Sequence, residues 1–318
     1  MTEQLKLKLN DSKATRWGAL VIVAFTMMAA YYVNDVVAPL KTMLETDLAW
    51  SSTDFGFFTG GYSFLNVFFL MLIWGGLILD RFGIRFTGKL ATILMVGGTA
   101  LEYYAMTGLA GADATLFGIN EIFGYKTGVF VAFAGYSIFG VGAEVAGITV
   151  SKIIAKWFKG KELATAMGVQ VALARIGSQA GYAVAIPLAR AFGISTPVLL
   201  GLVLLLGGMI AFFIFAVMDK KLDKQMEAAA IAAGTEDEEE KFSFKDVKNI
   251  LVNPGFWLIA LLCVLFYSCV FPFQKFASEL MIIKYGINEN VAGTFAGLPA
   301  LGALILTPVF GGFIDKRG

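Results

Sequence analysis

GLILDRFGIR at residues 76–85 and GGFIDKRG at residues 311–318 share one spacing, Gly-x-x-x-Asp-basic-x-Gly. Each copy follows a long apolar run and carries basic residues of the kind that anchor helix ends on the cytoplasmic side of a membrane. The same loop is expected to recur if the chain contains two related helical halves. Internal duplication of that kind is typical of secondary transporters, so the repeat predicts a helical membrane protein.

The composition agrees with a protein whose solvent is lipid. Hydrophobic residues make up 58% of the 318 residues and charged residues only 15%, whereas soluble domains carry about a quarter charged residues. The net charge of +1 gives no electrostatic reason to expect a nucleic-acid partner. Histidine is absent, which excludes imidazole metal sites and histidine general bases. We therefore expect no metal, no cofactor and no enzyme activity.

Eight apolar stretches are long enough to cross a bilayer, which needs about 20 residues of helix. They are residues 17–34, 55–79, 90–109, 127–151, 163–189, 191–218, 249–274 and 291–314. Most of the 25 lysines and arginines fall in loops on the side of the N-terminus, so the positive-inside rule places both termini in the cytoplasm. The few basic residues on the outer side are Lys41, Lys126, Arg190, Lys275 and Lys284.

The spans group into three segments. Residues 1–218 are predicted to form a six-helix transmembrane bundle, residues 219–253 a cytoplasmic loop, and residues 254–318 the first two helices of a second bundle. Two complete bundles of this kind need twelve spans, so we expect the chain to be truncated. The alternative is a genuine eight-span protein with another architecture.

Three spans contain one charged residue each, and an ionisable group in a span is costly and commonly functional. Glu144 and Arg175 lie on antiparallel neighbouring spans, each roughly 18–20 Å from the turn that joins them. Their equal depth fits either a structural ion pair or a site in which Arg175 binds a carboxylate and Glu144 an ammonium group. Glu102 is expected to pack in the bundle or at its interface. Proton coupling without histidine would fall on Glu144, Glu102 or Asp35.

The repeated loop resembles motif A of the major facilitator superfamily, which lies between the second and third helices of its members. The resemblance implies an all-α membrane protein of two six-helix bundles, with the first copy acting as a cytoplasmic gate loop. Gly76 is expected to let helices approach closely, and Asp80 to accept hydrogen bonds from the positive end of a neighbouring helix. The motif residues are Gly76, Asp80, Arg81, Gly83 and Arg85 in the first copy and Gly311, Asp315, Lys316 and Gly318 in the second.

Three further stretches carry a closer resemblance: GVGAE at residues 140–144, AKWFKGKEL at 155–163 and ALARIGS at 172–178. They are similar to the branch of the superfamily formed by lysosomal dipeptide transporters and their bacterial relatives. This resemblance implies a dipeptide facilitator that works without nucleotide or metal, in which Glu144 and Arg175 bind the two ends of the dipeptide. It also implies a multi-pass protein of a bacterial inner membrane, or of the lysosomal membrane in a eukaryote, with an accessory glycoprotein partner in the animal members.

Two other functions stay open on the sequence. A proton-coupled carrier of organic anions or other metabolites would use Arg175 for the carboxylate and Glu144 for the proton. A non-transporting membrane protein, either a fragment or a receptor, would bind a ligand without moving it. Dependence on a pH gradient separates the first of these from dipeptide facilitation, and flux in liposomes separates the second.

Overall fold

The structure is a computed structural model that describes residues 8–111, 114–233 and 249–317. Within these ranges the predicted all-α class is confirmed, apart from one hairpin in which β1 (Glu121–Ile122) pairs antiparallel with β2 (Tyr125–Lys126). A 3-10 turn at Ala38–Leu40 joins α1 to α2. The helices are α1 (Lys13–Val36), α2 (Lys41–Asp47), α3 (Ser52–Phe68), α4 (Met71–Thr107), α5 (Thr127–Trp157), α6 (Leu163–Phe192), α7 (Thr196–Ala233), α8 (Pro254–Tyr285), α9 (Glu289–Ala296) and α10 (Leu298–Arg317).

Small polar residues between the apolar runs set where several helices begin. The side chain of Ser12 caps α1, and Ser51 forms a capping box with Asp54 at the start of α3. Asn253 caps α8, whose first residue is Pro254, at a position where the missing backbone N–H has no intrahelical partner to lose. These caps satisfy N–H groups that would otherwise be unpaired at the helix ends.

Five stretches of helix are long and apolar enough to cross a membrane: Lys13–Asp47, Thr127–Trp157, Thr196–Ala229, Pro254–Tyr285 and Val291–Asp315. Helices α3 and α4 together add one bent candidate, with 58° between them, so the described residues contain five or up to six candidate spans. The prediction of eight spans is therefore not confirmed. Helix α6, predicted as the fifth span, is not among the candidates, and its polar side chains Gln170, Arg175 and Gln179 lower its mean hydropathy.

The second and third predicted spans differ from the structure in where the chain breaks. Helix α3 ends at Phe68, inside the predicted second span, and Leu70 takes the left-handed conformation with φ 51° before α4 begins. Helix α4 then runs through the first copy of the repeat. The predicted loop appears there only as a kink at Gly83, whose φ of 74° and ψ of 173° are non-helical. A kink within α4 therefore takes the place of the predicted loop.

Gly83→Ala is expected to destabilise the protein by about 1–3 kcal/mol, because this combination of φ and ψ is essentially restricted to glycine. No atom lies within 4 Å of a Cβ built at Gly83, so the cost comes from the backbone rather than from a collision. The matched control is Gly76→Ala, which also meets open space but has a helical backbone. The midpoint of thermal unfolding should fall for Gly83→Ala alone, and an equal fall in both variants would contradict the explanation.

Helix α6 is the element around which α1 and α10 pack, and small residues permit the close approach of α1. A Cβ at Gly177 would collide with the backbone carbonyl of Met28. One turn later, a Cβ at Gly181 would lie 3.0 Å from the carbonyl oxygen of Tyr32. Glycine at both positions therefore lets the backbones of α1 and α6 touch.

Helix α7 continues without a break to Ala233, past residue 218, where the predicted bundle ends. Asp219 and Leu222 are fully buried in this continuation, so its first turn packs as part of the bundle rather than as a solvated linker. The acidic run at residues 236–240 lies outside the described residues, so the remainder of the predicted cytoplasmic loop stays a prediction.

Two ion pairs tie the start of α1 to the turn before α6. Arg16 Nη2 donates to Glu162 at 2.8 Å, and Lys161 Nζ donates to Asp11 at 2.9 Å. The hydrogen bond from Arg16 lowers the pKa of Glu162, and the hydrogen bond from Lys161 lowers the pKa of Asp11. Since both carboxylates protonate below their ordinary range, the two contacts persist at neutral pH and are lost only as the pH falls through the lowered pKa values.

Candidate functional site

A cavity of about 510 Å³ lies between α1, α3, α5 and α8. This volume falls in the range of small-molecule sites, roughly 300–1,000 Å³. Apolar side chains such as Met27, Phe271 and Phe276 form much of its wall. The polar side chains in the wall are Tyr31, Asn34, Thr59, Tyr62, Ser63, Glu144 and Lys275. One acidic and one basic group therefore face the same space.

Glu144 reaches the cavity from the middle of α5. It is half-buried, and its Oε1 accepts a hydrogen bond from the hydroxyl of Tyr62 on α3 at 2.7 Å. A carboxylate has about four acceptor positions, so one hydrogen bond leaves room for a ligand ammonium group. Its predicted role in binding a substrate amine stays a prediction.

Arg175 stands behind the cavity wall rather than among the side chains that line it. Its guanidinium lies over the ring of Tyr31, 5.1 Å from the ring centroid, in a cation–π contact. Tyr31 itself lines the cavity, and it lies close enough to both Arg175 and Glu144 to interact electrostatically with each of them. The Nε of Arg175 is buried and has no hydrogen-bond partner among the described residues. The guanidinium thus has a donor available beside Tyr31.

The ion-pair interpretation of Glu144 and Arg175 is not realised in this structure. Both residues are described, and no ion pair joins them among the described side chains. Tyr62 is the partner of Glu144, and Tyr31 is the partner of Arg175. The two opposite charges therefore flank the Tyr31 side of the cavity without neutralising each other directly.

Lys275 is the site residue that the sequence interpretation missed. It was assigned to an outer loop because the predicted seventh span ended at residue 274, but α8 continues to Tyr285 and carries Lys275 into the wall of the cavity. Its Nζ donates to the backbone oxygen of Asn34 at 2.5 Å and to the Tyr136 hydroxyl at 3.1 Å. The apolar pattern FASELMII after residue 275 was the available signal that the helix continues.

Glu102 is wholly buried on α4, and neither of its side-chain oxygens has a hydrogen-bond partner among the described residues. It is absent from the cavity lining, so it packs inside the bundle rather than at the membrane interface. The positive charge of Lys275 is close enough to act on it. Asp35, at the end of α1, lies 4.0 Å from Lys275 Nζ and accepts a hydrogen bond from the side-chain amide of Asn34.

Lys41 ties α2 to α8. The lysine is almost fully buried, and its Nζ contacts Glu279 at 2.5 Å, Glu45 at 2.8 Å and the hydroxyl of Ser52 at 2.8 Å. A second ion pair is formed between Arg190 of α6 and Glu289 of α9. These contacts join α2 to α8 and α6 to α9.

The first copy of the repeated loop makes contacts with α5 and α7. Asp80 accepts from Lys152 at 2.8 Å, with both side chains about half exposed, and Arg85 donates to Asp223 at 2.6 Å. Arg81 lies over the ring of Phe82. No atom of the described residues comes within 4 Å of a Cβ at Gly76. The expected close approach occurs instead at the preceding Gly75, whose Cβ would lie 2.6 Å from Val145.

The second copy holds the start of α6. Asp315 accepts hydrogen bonds from the backbone N–H groups of Ala164 at 3.0 Å and Thr165 at 2.6 Å. Gly311 lies against the same turn, where a Cβ would be 2.6 Å from the oxygen of Ala164. A carboxylate at a helix N-terminus is stabilised by the partial positive charge there. Gly318 lies outside the described residues, as does the side chain of Lys316.

The fold and the site together define a helical membrane protein with a largely apolar cavity between its helices, into which one acidic and one basic side chain point. Residues 20–318, which are 299 of the 318 residues, match the family described as Major Facilitator Superfamily. The chain belongs to the Major Facilitator Superfamily, and the predicted family is confirmed.

Three relatives illustrate the similarity, each called lysosomal dipeptide transporter MFSD1. The protein of Pongo abelii is 27% identical over 313 residues, which cover 94% of this chain and 61% of the relative. The human protein is 27% identical over 319 residues, covering 96% and 62%. The protein of Gallus gallus is 32% identical over 197 residues, covering 58% and 42%. The chain thus spans about three-fifths of the length of the mammalian relatives.

Proposed function

We propose that the protein is a secondary transporter that moves small zwitterions, above all dipeptides, by alternating access. The observation that carries the proposal is the cavity that Glu144 lines and beside which Arg175 stacks on Tyr31. Glu144 binds the amino group of the substrate and Arg175 its carboxylate, after a small movement of Tyr31. The names of the relatives support dipeptides as the substrate class.

The same proposal includes the organisation of the whole protein. The eight predicted stretches are membrane spans with both termini in the cytoplasm, and residues 219–253 connect two helical bundles. The first copy of motif A acts as the gate at the cytoplasmic end, and the second copy occupies the corresponding position in the second bundle. Support comes from their contacts, since Asp80, Arg85 and Asp315 each bind a helix other than their own.

Glu144→Gln and Arg175→Ala should each reduce uptake of labelled Ala-Ala by about 10- to 100-fold, since each removes a charge-assisted hydrogen bond worth about 1.5–3 kcal/mol. The assay uses full-length protein in liposomes and follows initial rates of uptake. Glu121→Gln serves as the control, because Glu121 is an exposed carboxylate of the β1 strand, away from the cavity. Unchanged uptake in Arg175→Ala would remove Arg175 from the site.

A second candidate is a proton-coupled carrier of organic anions, which the buried Glu102 favours. A buried carboxyl group whose two oxygens have no hydrogen-bond partner among the described residues is the kind of group that carries a proton in membrane transporters. An inward proton gradient distinguishes the two functions. It should accelerate uptake by a proton-coupled carrier, whereas a facilitator moves its substrate at the same rate with and without the gradient. Ligand binding without flux in either condition would favour a non-transporting protein.

A further inference from the structure

Lys275 has one hydrogen-bond donor that no residue in the described part of the chain engages. An ammonium group has three donors, and two of them are used by the backbone oxygen of Asn34 and the hydroxyl of Tyr136. The nearest carboxylate oxygen, that of Asp35, lies 4.0 Å away, which is beyond hydrogen-bond distance. The third donor therefore has no acceptor at hydrogen-bond distance among the described residues, and the lysine lies in the cavity wall.

The charge of Lys275 is also only partly compensated. Its side chain is 16% exposed, and a buried cation is costly unless an anion is paired with it. Asp35 is the facing carboxylate, but its nearest oxygen lies 4.0 Å from the ammonium group and accepts a hydrogen bond from the side-chain amide of Asn34 instead. Glu102 acts on Lys275 from inside the bundle without a hydrogen bond. An anion arriving in the cavity would complete the set of partners.

The charges of the proposed substrate site limit which anion could pair with Lys275. In the proposed function, Glu144 takes the substrate amino group and Arg175 takes its terminal carboxylate, which leaves Lys275 in the same cavity. A dipeptide with uncharged side chains has no further anion to offer. A dipeptide with an aspartate or glutamate side chain has one, attached close to the backbone that the other two groups hold.

We propose that Lys275 binds the side-chain carboxylate of the substrate, so that the site prefers acidic dipeptides. This inference rests on the proposed function and adds the substrate's second carboxylate to it. Lys275 is a specificity-determining residue here, since substrates without the acidic group still bind through Glu144 and Arg175.

The test compares uptake of Ala-Glu and Ala-Gln, which have nearly the same shape and differ in one charge. Full-length protein in liposomes should transport Ala-Glu about 10- to 100-fold more efficiently, the ratio expected of one charge-assisted hydrogen bond. In Lys275→Met the ratio of the Ala-Glu uptake rate to the Ala-Gln uptake rate should fall to about one. Lys284→Met is the matched control, an exposed lysine farther along the same helix, and it should keep the preference.

The possible outcomes distinguish a failure of the inference about Lys275 from a failure of the proposed dipeptide transport. Equal uptake of the two dipeptides by the unmodified protein overturns the role of Lys275 and leaves dipeptide transport intact, whether or not the variant folds. A preference for Ala-Glu that survives in Lys275→Met overturns it as well. Uptake of neither dipeptide by the unmodified protein contradicts the proposed function itself.

Discussion

Asp219→Ala is expected to lower the free energy of unfolding by about 3 kcal/mol, at the upper end of the cost of leaving a buried hydrogen-bond donor without its acceptor. The carboxylate is fully buried on α7, where it accepts from Lys156 at 2.7 Å and from the indole N–H of Trp157 at 3.1 Å. Arg85 of motif A lies 3.5 Å from its other oxygen. Alanine would leave the buried indole N–H without its acceptor, while Asp223 would still serve the two cations.

Asp223→Ala is the matched control for this prediction. Asp223 contacts Arg85 at 2.6 Å and Lys156 at 2.5 Å, so it shares both cations with Asp219, but its side chain is 40% exposed. Exposed ion pairs contribute about 0–1 kcal/mol, because water screens them and can replace the lost partner. Unfolding would be followed in one detergent by denaturant titration. Equal losses in the two variants would show that burial does not decide the contribution of Asp219.

Gly177→Leu should also cost about 3 kcal/mol or more, because a side chain there has no space without separating α1 from α6. Even a Cβ would collide with the carbonyl of Met28, and it would lie 3.1 Å from the backbone nitrogen of Tyr32. Backbone atoms cannot turn aside as a flexible side chain can. The helices must therefore move apart, and the wall of the cavity that α1 contributes through Tyr31 moves with them.

Gly97→Leu tests the same substitution where space is available. Gly97 is exposed on α4, and a Cβ there meets no atom within 4 Å. We expect the control to change the free energy of unfolding by less than about 1 kcal/mol, since leucine is also a better helix former than glycine. A comparable loss in both variants, measured by the same titration, would indicate that helix approach at Gly177 is not what limits the substitution.

Part of the candidate site could be predicted from single residues. Glu144 and Arg175 were found because a charge within an apolar span is rare and costly, which is a local property of the sequence. Whether they pair could not be predicted from depth along the helices, because depth does not give the direction in which a side chain points. The structure turns Glu144 towards Tyr62 and Arg175 towards Tyr31.

The sequence predictions that differ from the structure failed for a similar reason, because the facing of a residue and the extent of a helix depend on tertiary packing. Gly76 was expected to permit close approach because it belongs to the motif, yet the helix face that meets Val145 carries Gly75. Lys275 was placed in a loop because a lysine ends an apolar run, although α8 continues beyond it. The predicted loop between the second and third spans proved to be a kink at Gly83, which only the backbone angles reveal.

The sequence by itself determined that this is an all-α membrane protein of the Major Facilitator Superfamily. Long apolar runs, a repeated loop and charges within spans can each be recognised from short stretches of consecutive residues. Only the tertiary structure decided which polar groups share a cavity. Helix ends and helix rotation depend on the packing of neighbouring helices. Glu144, Tyr31 and Lys275 therefore line one cavity because of contacts between residues that are far apart in the sequence.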